Sequence, residues 1–169
     1  MKISIWIIAI LITLSTIGYV LSQDSSSSTE TTVSASTQTA VFAGGCFWCT
    51  ESDFEKLAGV SEVISGYAGG SAETATYEQV ASGKSGRLEV VQVHHDPNVI
   101  SYQELLDAFW RMIDPTDAEG SFVDRGQQYT SAIFYNSEEQ KILAEGSKAA
   151  LANSGKFANP IVTEVRPLE

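Results

Sequence analysis

The sequence predicts an α+β fold: a two-layer sandwich with a ferredoxin-like core, its helices packed on a mostly antiparallel sheet. Three observations lead there. Hydropathy patterning gives the order strand, helix, strand, strand, helix, strand, helix, strand, and the adjacent pair of strands breaks the alternation a parallel sheet requires. Hydrophobic residues make up 43% and charged residues 18% of the chain, enough apolar surface for a real core. The 169 residues suit one domain with an appendage.

Ala40–Ala43 is a short apolar run ending in Gly44-Gly45, a strand and a turn. Cys46 to Ala58 reads as a helix with Phe47, Phe54, Leu57 and Ala58 near one face, acidic residues suited to its positive end, and Gly59 ending it. Val60–Tyr67 is the next strand. Ala68–Gly86, rich in Gly, Ser, Ala and Thr, reads as a long loop with Tyr77 near its centre. In the strand Leu88–His95, alternation puts Glu89, Val91, Val93 and His95 on one face; His94 and His95 read as surface residues at the strand end. Ser101-Tyr102-Gln103-Glu104 is a capping box opening a helix to about Ile113, with Leu105, Leu106, Phe109 and Ile113 as its stripe. Asp114–Gln128 reads as loop and Tyr129–Tyr135 as strand. Ser137-Glu138-Glu139-Gln140 is a second capping box, for a helix ending near Ser154-Gly155, and Ile161–Val165 is the last strand.

The appendage is N-terminal. Lys2 is followed by the uncharged, largely apolar run Ile3–Leu21, which fits a signal peptide cleaved after Ser22 or an uncleaved membrane anchor of about 28 Å at ~1.5 Å per residue. Residues 23–39 are dominated by Ser and Thr without periodicity, a composition that cannot offset the entropy of ordering and reads as a flexible linker. The folded domain is then expected over 40–169, on an exported protein: periplasmic, extracellular or membrane-anchored. The net charge of −11 argues against nucleic-acid binding, which needs clustered cations.

The sharpest local feature is Gly44-Gly45-Cys46-Phe47-Trp48-Cys49. A thiol where a strand turns into a helix meets unpaired backbone N–H groups, which favour thiolate, and the glycines leave it accessible. Cys49 lies on the same side of the first helical turn, within reach of a disulfide. The alternative is a pair of small buried residues. Zinc fits poorly, because His94 and His95 point to opposite faces of a strand. Phe47 and Trp48 suit either core packing or a pocket for a small apolar group beside the reacting atom. Glu89 stands among apolar residues in Leu88-Glu89-Val90-Val91. If its face is covered, burial keeps it protonated, ready as a general acid; if the strand is an edge, it faces water.

These residues resemble the type A peptide methionine sulfoxide reductases, from about Ala40 to Glu169. The Gly-Cys-Phe-Trp signature at 45–48 is joined by Tyr77-Glu78-Gln79-Val80 with Ser82-Gly83, by Gly86-Arg87-Leu88-Glu89-Val90-Val91 leading to Asp96-Pro97, and by Asp124-Arg125-Gly126-Gln127-Gln128-Tyr129. The resemblance implies that Cys46 attacks the sulfur of methionine S-sulfoxide, free or in oxidised proteins. Glu89 would protonate the oxygen with help from Tyr77 and Tyr129, Phe47 and Trp48 would hold the methyl group, and Asp124 would shape the polar side. The product on Cys46 is a sulfenic acid, which a second thiol condenses to a disulfide. Family members often carry that thiol near the C-terminus; of the two cysteines here, Cys49 is the resolving candidate, with a thioredoxin-like dithiol as electron donor. The implied enzyme is a repair oxidoreductase, expected to be a monomer with no bound cofactor and no metal, touching a membrane only through its N-terminal segment. Arg87-Leu88 and Phe122-Val123 depart from the family's usual His-Ala and Gly-Asn.

Two rivals remain at this level. A thioredoxin-type oxidoreductase would need a cis-proline facing the dithiol, for which Pro97 and Pro115 are poorly placed. A tethered binding domain would use the cysteines only as a structural disulfide.

Overall fold

The computed structural model of the chain describes residues 36–70 and 76–169. The leader expected over 1–22 and nearly all of the linker lie outside the described residues. Among the described residues no helix is long and apolar enough to cross a membrane.

Five strands form one sheet in the order β2-β3-β1-β6-β7: β1 is Gln38–Ala43, β2 Val60–Ala68, β3 Leu88–His95, β6 Ala132–Tyr135 and β7 Glu164–Pro167. β3 runs antiparallel to both β1 and β2, so β1 and β2 are parallel strands split by β3. That is the split βαβ arrangement of a ferredoxin-like core. β6 is antiparallel to β1, while β7 adds in parallel beside β6. The fold class is therefore as expected, with one parallel pair in an otherwise antiparallel sheet.

The larger core lies on one face of this sheet. Ala40 and Phe42 of β1, Val91 and Val93 of β3, and Ile133 of β6 meet apolar residues of helices α1 (Phe47–Phe54), α3 (Tyr102–Met112) and α4 (Glu138–Asn153). Phe42 is its hub: fully buried, its ring stacks on Phe54 at 5.0 Å and on Phe109 at 4.9 Å between centroids. The opposite face carries a smaller cluster of Val41, Ala43, Ala68, Leu88, Val90, Ala132 and Phe134. Strand alternation thus decides which core each residue joins.

Capping explains the helix starts. Ser101 and Glu104 form the expected reciprocal box, Ser101 Oγ accepting from Glu104 N and Glu104 Oε2 accepting from Ser101 N. At α4 only half of the box forms. Gln140 N donates to Ser137 Oγ, but the Gln140 side chain accepts from Asn136 N and donates to Thr39 O, tying the helix to β1.

Several elements differ from the sequence reading. β1 begins at Gln38, because its pairing with β3 extends to His95. α1 ends at Phe54, four residues short, and its first turn holds no acidic residue, since Glu51 and Asp53 fall further along. The loop over 68–86 contains a short helix, α2 (Tyr77–Ala81), with a capping box between Thr76 and Gln79. The loop over 114–128 contains a hairpin of β4 (Gly120–Ser121) and β5 (Asp124–Arg125) and a 3-10 turn at Gln127–Tyr129, so β6 starts only at Ala132. β7 lies three residues beyond the expected start. His95 is fully buried rather than at the surface. β3 has a partner on each side, and the chain after it folds back so that Ile100 O lies 2.8 Å from His95 Nδ1.

Replacing Phe42 by Ala removes the hub ring. The expected loss of unfolding free energy is about 3–5 kcal/mol, to be read from urea denaturation of both proteins.

Candidate active site

Cys46 occupies the N-cap of α1, directly after the glycine turn. Both glycines are sterically required. A Cβ on Gly45, whose φ is +102°, would stand 2.6 Å from Ser121 Cβ, and one on Gly44 would stand 2.8 Å from Thr50 Oγ1. The buried hydroxyl of Ser121 donates to Gly44 O at 3.2 Å, so the β4–β5 hairpin braces the turn. The Cys46 carbonyl accepts from Cys49 N and Thr50 N, both at 3.1 Å, and from Thr50 Oγ1 at 3.2 Å. Cys46 is half-buried and Cys49 exposed, and neither forms a disulfide.

Glu89 lies on the helix-facing side of β3 and is only 3% exposed. Its Oε2 accepts from Phe47 N at 3.0 Å, the N–H next to Cys46 in the chain. This settles the open question about the strand face: the carboxyl is covered. Burial pushes its pKa above the usual carboxylate range; the Phe47 N–H opposes this, and the nearby charge of Asp124 adds to it.

Around this pair stand three tyrosines. Tyr67 on β2 is opposite Glu89 in the strand register, and its ring lies 5.8 Å from that of Phe47. Burial first, then the Glu89 charge, raises the phenol pKa of both Tyr67 and Tyr129, and Tyr77 adds to each. Both therefore remain neutral O–H donors. Tyr77 opens α2 and is more than half exposed. Asp124 follows the hairpin tip, and its charge reaches Glu89, Tyr129 and Cys49. Phe47 is buried, while Trp48, 67% exposed, lies 5.6 Å from it between ring centroids. The Cys49 thiol is in hydrogen-bond contact with Cys46, and its pKa is raised by that bond first and by burial second. Among the described residues, no three His, Cys, Asp or Glu side chains converge as a metal site needs.

The structure thus gathers Cys46, Cys49, Glu89, Tyr77, Tyr129, Asp124, Phe47 and Trp48 at one place, where β1 and β3 meet α1 and the hairpin.

The chain as a whole is similar to known proteins. Residues 38–169 match the family described as peptide methionine sulfoxide reductase. The chain belongs to that family. It is 53% identical over 129 residues to the peptide methionine sulfoxide reductase MsrA of Halalkalibacterium halodurans, covering 76% of this chain and 73% of that one. It is 54% identical over 142 residues to the MsrA/MsrB protein of Vibrio cholerae, covering 84% of this chain but only 38% of that longer protein. The reduced form of Mxr1 from Saccharomyces cerevisiae has the same fold, with a TM-score of 0.73 at 30% identity over 79% of this chain and 77% of that one. Mxr1 has also been crystallised in complex with Trx2.

Sequence reasoning missed three residues that frame this candidate site. Tyr67 could have been found by pairing β2 against β3, which sets it opposite Glu89. Thr50 and Ser121 buttress the turn; Ser121 carries no local signal, because its partner is 77 residues away. Arg87, one departure from the family pattern, donates from Nη1 to Tyr67 O at 3.3 Å, at the end of the strand pair that holds Glu89. Phe122-Val123, the other, forms the hairpin tip and leaves Asp124 paired with Ser121.

Because the folded-state pKa of Glu89 is raised, its neutral form is lost as pH rises through that value. We expect kcat/KM to fall there, on the alkaline side of an ordinary carboxylate, and Glu89→Gln to lose this limb together with about 10²–10⁴-fold of rate. The same ionisation destabilises the fold, so the urea midpoint of the wild type should drop relative to Glu89→Gln as pH increases.

Proposed function

We propose that this chain reduces the S epimer of methionine sulfoxide to methionine, as a repair enzyme, with Cys46 as nucleophile and Glu89 as acid. The observation that carries this is the buried Glu89 carboxyl, its pKa raised by burial, which accepts from the N–H that follows Cys46 in the chain. A sulfoxide oxygen leaves only when protonated, so an acid and a sulfur nucleophile must act on neighbouring atoms.

The Cys46 thiolate attacks the substrate sulfur while Glu89 gives its proton to the oxygen. Tyr67, Tyr77 and Tyr129 donate hydrogen bonds to that oxygen, Phe47 and Trp48 enclose the methyl group, and Asp124 shapes the polar wall. The oxygen passes to Cys46 as a sulfenic acid, and methionine leaves. The substrate sulfur has gained two electrons and Cys46 has lost two. Cys49 then attacks the Cys46 sulfur, water departs, and a Cys46–Cys49 disulfide forms. The exposure of Cys49 and its contact with Cys46 support this assignment. A thioredoxin-like dithiol restores both thiols by exchange, a reading supported by the complex of the relative Mxr1 with Trx2. The apolar run after Lys2 supports an exported enzyme working beyond the cytoplasm, joined to its leader by the Ser/Thr-rich segment before β1.

Assay of separated epimers with dithiothreitol should give turnover of the S form alone and none with Cys46→Ser; turnover of the R form would contradict the reading. After one turnover without reductant, mass spectrometry should find a disulfide in the wild type. In Cys49→Ser it should find a sulfenic acid on Cys46, and a wild type that also stops at the sulfenic acid, with no Cys46–Cys49 disulfide, would refute Cys49 as the resolving thiol.

A further inference from the structure

Arg87 is a buried cation at the entry to β3, 9% exposed and directly before Leu88. Taking a guanidinium out of water is costly unless hydrogen bonds compensate it. One such bond runs from its Nη1 to Tyr67 O, at 3.3 Å. The stem of the same side chain lies against the turn after β2, where a Cβ on Gly70 would stand 3.1 Å from Arg87 Cγ. Arg87 N donates to Ser85 Oγ at 3.1 Å, which seats the residue itself.

The strand end that Arg87 grips needs an anchor. β2 is an edge of the five-stranded sheet and, among the described residues, pairs only with β3. That pairing stops at Ala68 opposite Leu88, one residue beyond Tyr67. Gly66 precedes Tyr67 with open space where a Cβ would be, and Gly69 and Gly70 follow at φ of +71° and +77°. An edge strand that ends among glycines opens locally at little cost.

Tyr67 is the residue at that end. It stands opposite Glu89 in the strand register, and its ring lies 5.8 Å from that of Phe47, whose N–H bonds Glu89. Its phenol feels the charge of Glu89 as well as Tyr77 and Tyr129, so these groups converge. Phe47 packs on the ring; the bond from Arg87 holds the backbone from which the ring projects. A donor serves a reacting oxygen only when its support fixes it to a fraction of an ångström.

We infer that Arg87 is a positioning residue: by bonding Tyr67 O it holds the end of β2 so that the Tyr67 hydroxyl meets the sulfoxide oxygen beside Glu89. The inference rests on the reading of Cys46 and Glu89 as the sulfoxide-reducing centre and adds a residue to that site.

The test is a double-mutant cycle on the full chain, with dithiothreitol and capped methionine S-sulfoxide. Tyr67→Phe removes the donor and should lower kcat about tenfold. Arg87→Met keeps an unbranched stem over Gly70 without a donor, and should lower kcat about fivefold while KM changes less than about twofold. The double variant should be no slower than Tyr67→Phe alone. Losses that multiply in the double variant overturn the inference, as does an unchanged kcat in Arg87→Met. The pH profile separates the bond from the charge. Loosening β2 admits water to Glu89, so the alkaline limb of kcat/KM in Arg87→Met should hold or move to lower pH; loss of a cation acting directly on Glu89 would move it to higher pH, and that result also overturns the inference. If Arg87→Met does not fold, the cycle is run with Arg87→Lys, which keeps a cation and shortens the reach to Tyr67 O, and the same non-additivity is expected. A wild type with no turnover refutes the reductase reading itself.

Discussion

The Phe47 N–H donates to Glu89 across 42 residues of sequence, and the geometry of the site follows from that bond. It takes one of the unpaired donors at the start of a helix and gives it to a carboxyl inside the covered face of a sheet. Two conditions must be met for it to form. β3 must present position 89 to the helix layer, which its alternation with Val91 and Val93 achieves. β1 must turn sharply enough to start α1 above that position, which Gly44 and Gly45 allow because no Cβ fits there. The carboxyl then feels opposing influences. The N–H favours the anion, burial favours the neutral acid, and burial is the larger. The result is a carboxyl with a raised pKa, bonded to the N–H that follows Cys46 in the chain.

The features of this arrangement that are local in sequence were legible. Strand alternation placed Glu89 on one face with Val91 and Val93, leaving the burial of that face open, the glycine pair marked the turn, and Ser101 with Glu104 marked the start of α3. What depended on partners far along the chain was not. Tyr67 faces Glu89 only once β2 is paired with β3, and its own segment reads as ordinary strand. His95 looked like a surface residue because its neighbours in sequence are polar; it is buried because β1 and β2 flank it and the chain returns over it. The β4–β5 hairpin was read as loop because strands of two residues leave no periodicity to detect.

The two thiols are treated differently by the same turn. Cys46 is half-buried at the helix cap, whereas Cys49, one turn on, is open to solvent. Burial at Cys46 suits the proposed attack step, in which water would compete with Glu89 for the substrate oxygen. Exposure at Cys49 suits exchange with an external dithiol, which must approach in line with a sulfur. In the proposed mechanism a single helical turn would supply one sulfur for chemistry and one for regeneration. The Cys49 pKa is raised, by the bond to Cys46 first and by burial second.

The two departures from the family pattern act at different depths. Arg87 bonds the backbone of Tyr67 where β2 and β3 end, so it belongs to the frame that sets Tyr67 opposite Glu89. A change there disturbs the acid through the register of two strands. Phe122 and Val123 lie between two residues that the site holds in place, Ser121 against the turn and Asp124 beside the acid. The close approach at Gly120, where a Cβ would stand 2.2 Å from Asp124 O, fixes the hairpin independently of its tip. The tip is thus free to vary without moving either the sulfur or the carboxyl.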